Sequence, residues 1–265
     1  MGSSDLIFII GRQRSGTTVF RDLLKRHGAR DCDEIFHGDL THEDRFYRYV
    51  LKRVETHPHL VHPEHHAMLF REFIEELRQK SDHRKLAMDV KYFGLNLIPA
   101  REDVDGRSPF VLNFIRHSKA HAVHIIRPNK VRIYISEEMA KATGRWSAGR
   151  VEHLVSEKPK LNVKVSEALA FIDRLLLQDE RVTAMLDPLP NAKRLIYSEM
   201  FKPNGHFSED VVKAATNILD MDDVDPKPGN LKMNPEPVSD LIENFDELSQ
   251  AMTGSEHEWM LYDDG

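Results

Sequence analysis

The chain has 265 residues, 40% of them apolar and 30% charged, a balance that excludes an intrinsically disordered protein and fits a globular one. A formal net charge of −6 excludes broad, sequence-blind binding to nucleic acid or to an anionic membrane surface, while leaving room for a local basic pocket. One cysteine, Cys32, rules out an intrachain disulfide and points to a reducing, cytoplasmic setting, and no apolar run is long enough to span a membrane.

Residues 6–10 (Leu-Ile-Phe-Ile-Ile) form a short unbroken apolar run, the signature of a strand buried on both faces of a parallel sheet. The run follows an acidic residue and has no basic flank, which speaks against a signal peptide. Residues 11–16 read as a turn, and Thr17 opens a helix with Val19, Phe20, Leu23 and Leu24 on one stripe, closed by His27 and Gly28. From 30 to 62 the chain is polar, charged and histidine-rich and is expected to run over the surface. Pro63 suits a first helical position, after which Met68, Leu69, Phe73, Ile74 and Leu77 recur at helical spacing. Residues 86–92 read as a second strand and 121–127 as a third. Asn129 caps a helix running to about Thr143 and stopped by Gly144. A long helix is expected over 161–178, a strand over 194–197, and helices over 211–219 and 241–252. Strands alternating with helices predict an α/β, P-loop-type three-layer fold with a central, mainly parallel sheet flanked by helices, and no composition shift divides it into domains, so 1–265 reads as one.

The most informative segment is Gly11-Arg12-Gln13-Arg14-Ser15-Gly16-Thr17-Thr18, set between a strand and a helix. Glycines let the backbone approach an anion, and the unpaired amides of a helix N-terminus point at it. The spacing matches the nucleotide-triphosphatase loop, except that Thr17 stands where that loop carries lysine. Arg14, with Arg12 nearby, and the hydroxyls of Thr17 and Thr18 suit a less charged phosphate bound without a metal. Downstream, the strand over 121–127 ends in Arg127, and a helix carrying Ser136 follows, nine positions on. An arginine at the C-terminal edge of an α/β sheet lies where such sheets bind ligands, and an Arg–hydroxyl pair recognises a phosphate monoester.

On these motifs the chain resembles the sulfotransferases that use 3′-phosphoadenosine-5′-phosphosulfate (PAPS), most of all the bacterial branch that includes the trehalose and Nod-factor enzymes. The resemblance implies that Arg14, Ser15, Gly16, Thr17 and Thr18, with Arg12, hold the 5′-phosphosulfate. It also implies that Arg127 and Ser136 hold the 3′-phosphate, although Pro128 replaces a second strand-end arginine often found in that branch. Thr143-Gly144-Arg145-Trp146 resembles a further element of the branch. Tyr197, in a strand-end Tyr-Ser-Glu segment, corresponds to a residue near the adenine, and Lys232 to a loop that closes over the nucleotide.

Sulfuryl transfer needs a base for the acceptor proton and cations for the bridging oxygen of the leaving phosphate. By resemblance Glu34 is the base. His37 is its rival, because histidine titrates near neutrality. Lys91, ending the second strand, points to the same edge as Arg127 and could orient acceptor or sulfonate. His57, His59, His62, His65 and His66 form the densest histidine cluster and read as a surface segment rather than a metal site, sulfuryl transfer requiring no metal. The reading is therefore a cytoplasmic sulfotransferase that moves a sulfuryl group from PAPS to a hydroxyl or amine of a small carbohydrate or other metabolite, releasing adenosine 3′,5′-bisphosphate. Its partner is that acceptor, with no nucleic acid and no stable membrane insertion; a homodimer is compatible with the sequence. The alternatives are a P-loop kinase or NTPase, with Asp89 as a Mg²⁺-holding carboxylate, and a non-catalytic nucleotide-binding protein.

Overall fold

The computed structural model describes residues 4–82, 84–99, 108–146, 158–229 and 234–263. In chain order the elements are β1 (Leu6–Gly11), α1 (Thr17–Arg26), β2 (Arg30–Glu34), α2 (Phe46–Thr56), α3 (His66–Gln79), β3 (Leu86–Lys91), α4 (Phe110–Ser118), β4 (His121–Ile126), α5 (Lys130–Thr143), α6 (Val165–Leu186), β5 (Ala192–Ile196), α7 (Glu209–Leu219), α8 (Val238–Leu241) and α9 (Phe245–Met252). The five strands pair in the order β2-β3-β1-β4-β5 and every pairing is parallel. This is an α/β fold of the P-loop type, a central sheet with a helix layer on each face.

Alternation along β1 explains the layers. Side chains on a strand point to opposite faces. Leu6, Phe8 and Ile10 join the cluster formed with Phe46, Leu69, Phe70, Phe73 and Phe110 from α2, α3 and α4. Ile7 and Ile9 join the opposite cluster with Phe20, Leu23 and Leu24 of α1 and Val211, Ala215 and Ile218 of α7. A third cluster unites α5, α6, α8 and α9 through residues such as Ile135, Ile172, Leu241 and Met252. The parallel crossovers bring the C-terminal ends of β1, β3 and β4 together at one edge, with Gly11 opposite Lys91 on one side and Ile125 on the other.

Residues 30–62 depart from the surface course expected of them. They supply an edge strand, β2, and a core helix, α2. Of β2 only Cys32 is buried and apolar; its charged residues are taken up in ion pairs, Arg30 with Asp44, Asp31 with Arg21, and Asp33 with Arg21 and Arg45. The polar composition that suggested a loop is the composition of a strand paired through charges. In α2 the buried stripe of Phe46, Tyr49 and Val50 is short enough to be hidden among eight other mostly polar positions. Smaller differences follow the same logic. Met68 lies on the exposed side of α3 while Phe70 fills its core face. The long helix begins at Val165 and continues to Leu186. The C-terminal helical stretch is split, with extended backbone at Ile242 between α8 and α9.

Candidate functional site

The β1–α1 turn is shaped by close approaches that leave no room for side chains at its glycines. A Cβ at Gly11 would meet Ser15 Oγ and Thr17 Cγ2 at 2.7 Å and the Ile125 carbonyl at 2.9 Å. Gly16 caps α1 in the left-handed region, at φ 98°, and Arg14 is also left-handed, at φ 67°. The Ser15 hydroxyl donates to the Arg12 carbonyl at 2.7 Å and ties the loop on itself. Neither a side-chain cap nor an acidic residue occupies the first turn of α1, so its amide-rich end stands open to an anion. Thr17 is buried there and Thr18 exposed.

Lys91 reaches this turn from the neighbouring strand. Its Nζ lies 2.5 Å from Thr17 Oγ1, 2.8 Å from Asp89 Oδ2 and 3.4 Å from Glu34 Oε1. The cation that the loop lacks at Thr17 in sequence is thus placed beside Thr17 in space. Behind it, fully buried Asp89 is shared with Arg21 Nη1 at 3.4 Å, and Arg21 also holds Asp31 and Asp33. Burial pushes the Asp33 carboxyl up, but Arg21 and Arg45 beside it outweigh this and hold it below the ordinary carboxylate range. Arg45 donates to the Glu34 carbonyl oxygen as well as to Asp33, which fixes the end of β2. Glu34 therefore presents one oxygen to Lys91, and its other oxygen, Oε2, is buried without a hydrogen-bond partner. His37 sits apart. It is exposed, and its Nδ1 accepts the Asp39 amide at 3.0 Å.

On the other side of the loop, Arg127 leaves β4 with 8% of its surface exposed. Its guanidinium lies over the Tyr197 ring, 4.6 Å from the centroid, and its Nη1 donates to the Arg14 carbonyl at 3.3 Å. Its Nε is buried without a partner. Tyr197 is itself pressed against the loop, because a Cβ at Gly16 would lie 2.5 Å from Tyr197 Cδ2. The ring is held between the turn and Arg127, so it braces the guanidinium. Arg14 Nε donates to Ser136 Oγ at 2.8 Å, and Arg14 Nη1 donates to the Trp146 carbonyl. Burial draws both the Arg14 and the Arg127 guanidinium below their ordinary range. Arg12 differs from them: it pairs with buried Glu137 at 3.1 Å, leaving Nε unpartnered. Among the described residues neither Arg14 nor Arg127 forms an ion pair.

One group of residues escaped the sequence reading. Lys130, at the first position of α5, is almost fully buried; its Nζ donates to the Arg127 carbonyl at 2.5 Å and pairs with Asp179 of α6. Asp179 Oδ1 accepts from the Tyr92 hydroxyl at 2.7 Å, and the Tyr92 oxygen lies 2.9 Å from His124 Nε2. Burial and Asp179 push the Tyr92 phenol up, which keeps its proton available to donate. His124 must then donate through Nε2. A histidine inside the apolar run of β4 was the visible signal of this chain of bonds. Lys232 lies outside the described residues, and among the described residues no group of three or more His, Cys, Asp or Glu side chains is arranged to hold a metal ion. No described helix is long and apolar enough to cross a membrane.

No family model and no curated protein sequence matches the chain. Among solved structures it is similar to shikimate kinase from Bacteroides thetaiotaomicron, with a TM-score of 0.40 and 11% sequence identity over 82% of this chain and 98% of that one. A likeness of that degree has no bearing on what the site binds.

Proposed function

We propose that the protein is a sulfotransferase that takes the sulfuryl group of PAPS and passes it to a hydroxyl or amine of a small acceptor, releasing adenosine 3′,5′-bisphosphate. The observation that carries this reading is the pair of guanidiniums, half-buried Arg14 in the Gly11–Gly16 turn and buried Arg127 beside it, neither of which forms an ion pair among the described residues. Unpaired charge is costly where it is buried, as at Arg127, and an anionic ligand removes the cost. Two such cations, with Ser136 bonded to Arg14, suit a ligand with two separate phosphate groups better than a single triphosphate chain. A magnesium-dependent triphosphate also requires a carboxylate for its metal. Asp89, the residue at that place, gives its Oδ2 to Lys91 and Arg21 and keeps a buried Oδ1 with no hydrogen-bond partner.

In the proposed reaction the open end of α1, Ser15, Thr17 and Thr18 hold the phosphosulfate, with Arg12 at the rim, and Arg127 and Ser136 hold the 3′-phosphate. Tyr197 keeps Arg127 in place, and Lys232 supplements the same site. Glu34 Oε2 takes the acceptor proton as the acceptor oxygen or nitrogen bonds to sulfur. The bond from sulfur to the bridging oxygen breaks, and its electron pair stays on the 5′-phosphate, where Lys91 offsets the new charge. A carbohydrate or similar metabolite is the acceptor class, by resemblance to the bacterial branch. The protein works in the cytoplasm, alone or as a homodimer. A thermal-shift series decides between donors, because a ligand that binds only the folded state raises its stability. Adenosine 3′,5′-bisphosphate should raise the melting temperature without metal, and labelled PAPS should then deliver sulfate to an acceptor pool. Stabilisation by ATP with Mg²⁺ alone would assign the site to a kinase or NTPase. Bisphosphate binding without transfer to any acceptor would leave a nucleotide-binding protein.

A further inference from the structure

Arg14 belongs to both halves of the anion site. Its carbonyl accepts from Arg127 Nη1 at 3.3 Å, and its side chain donates through Nε to Ser136 Oγ at 2.8 Å. The left-handed backbone at φ 67°, uncommon for a residue with a side chain, sets both contacts at once. Nη1 is engaged by the Trp146 carbonyl, so two of the three guanidinium nitrogens are fixed before any ligand arrives. Ser136 is 6% exposed and has no other hydrogen bond among the described residues. A hydroxyl has one proton and two lone pairs. With one lone pair occupied by Arg14 Nε–H, the Ser136 proton is left to donate to an incoming phosphate.

We infer that Arg14 is a positioning residue that couples the two anion subsites through Ser136, so that filling one strengthens the other. This inference rests on the reading of the site as one for a nucleotide phosphorylated at both the 5′ and 3′ positions. When Ser136 donates to a 3′-phosphate its oxygen becomes a better acceptor, because hydrogen bonds in a chain polarise one another. The Arg14 Nε bond then tightens, and less side-chain freedom remains to be lost when the loop closes on the 5′ group. By linkage the effect runs equally in reverse. The consequence is selectivity: a donor with both phosphates is preferred to adenosine 5′-phosphosulfate by more than the direct contacts to the 3′ group supply.

The test measures binding of AMP and of adenosine 3′,5′-bisphosphate to wild type, Ser136→Ala, Ser136→Thr, Arg14→Ala and the Ser136→Ala/Arg14→Ala double variant, with folding checked by unfolding midpoint. AMP has no group for the Ser136 subsite, yet Ser136→Ala should weaken it about fivefold and Ser136→Thr should restore it. On the bisphosphate, the two single losses should exceed the double loss by a similar factor. AMP affinity within twofold of wild type in Ser136→Ala, together with additive losses on the bisphosphate, would overturn the coupling and leave the donor reading intact. Failure of the bisphosphate to bind wild type, with ATP–Mg²⁺ bound instead, would remove the donor reading and the coupling with it.

Discussion

Lys91 Nζ lies 2.5 Å from Thr17 Oγ1 although the two residues are 74 positions apart. Parallel pairing of β3 with β1 sets Lys91 opposite Gly11, at the mouth of the turn, and Asp89 beneath holds the ammonium there. The lysine missing from the loop motif is supplied by the adjacent strand. Since a loop-side cation is present after all, the Thr17 substitution alone does not separate the donors; Arg14 and Arg127, in no ion pair among the described residues, weigh more.

Lys91→Met should test both sides of that arrangement. Removing Lys91 leaves buried Asp89 with Arg21 as its remaining partner, at a cost of about 2 kcal/mol in urea unfolding. Adding Asp89→Asn should recover at least half of this, because Arg21 retains Asp31 and Asp33. Sulfate transfer should stay at least ~100-fold below wild type in both variants. A double variant as active as wild type would remove Lys91 from the reaction.

Glu34→Gln keeps the shape of the side chain and takes away its capacity to accept a proton. Turnover should fall by about 100-fold or more while bisphosphate affinity stays within about threefold. His37→Asn should leave turnover within about twofold, since the His37 ring is exposed with Nδ1 committed to Asp39. The opposite pattern would make His37 the base.

Tyr197 is expected to act through Arg127. Tyr197→Leu removes the ring beneath the guanidinium and should weaken bisphosphate binding by about tenfold, in line with ~1–2 kcal/mol for a desolvated cation–π contact. Tyr197→Phe should stay close to wild type. Gly16→Ala should destabilise the fold by ~2 kcal/mol, because its backbone is left-handed and the new methyl would enter the Tyr197 ring. Calorimetric unfolding and titration of the same samples separate the two effects.

His124 gives the fold an acid sensitivity. Burial, reinforced by Arg194 and Lys130, lowers its pKa from 6.5 to about 4. The unfolded chain therefore binds a proton that the folded one refuses, so stability is full above about pH 6.5 and falls as pH drops toward 4. The total loss is on the order of 3 kcal/mol. His124→Gln, which can still donate to Tyr92, should flatten the difference in urea midpoint between pH 7.5 and 5. An unchanged slope would place the acid sensitivity elsewhere.

Local signals made β1, the turn, α1 and the Asn129-capped α5 legible. An apolar run buried on both faces, glycines at the turn and a capping side chain act within a few residues, so their meaning survives without the rest of the fold. The polar strand β2 was hidden, because its charges are satisfied by residues distant in sequence or outside the strand, among them Arg21, Asp44, Arg45 and Lys91. The motif residues Arg14, Arg127, Ser136 and Lys91 could each be named from the sequence, together with the edge of the sheet they share. Their relations could not: Arg14 and Ser136 are separated by 122 positions, Lys130 and Asp179 by 49. What tertiary structure alone decided is which charges are neutralised. Arg12 found Glu137 and Lys91 found Asp89, while Arg14 and Arg127 form no ion pair among the described residues. Pairing of that kind depends on distances of a few ångströms between strands brought side by side by parallel crossovers, and a sequence specifies those distances only through the packing of the whole core.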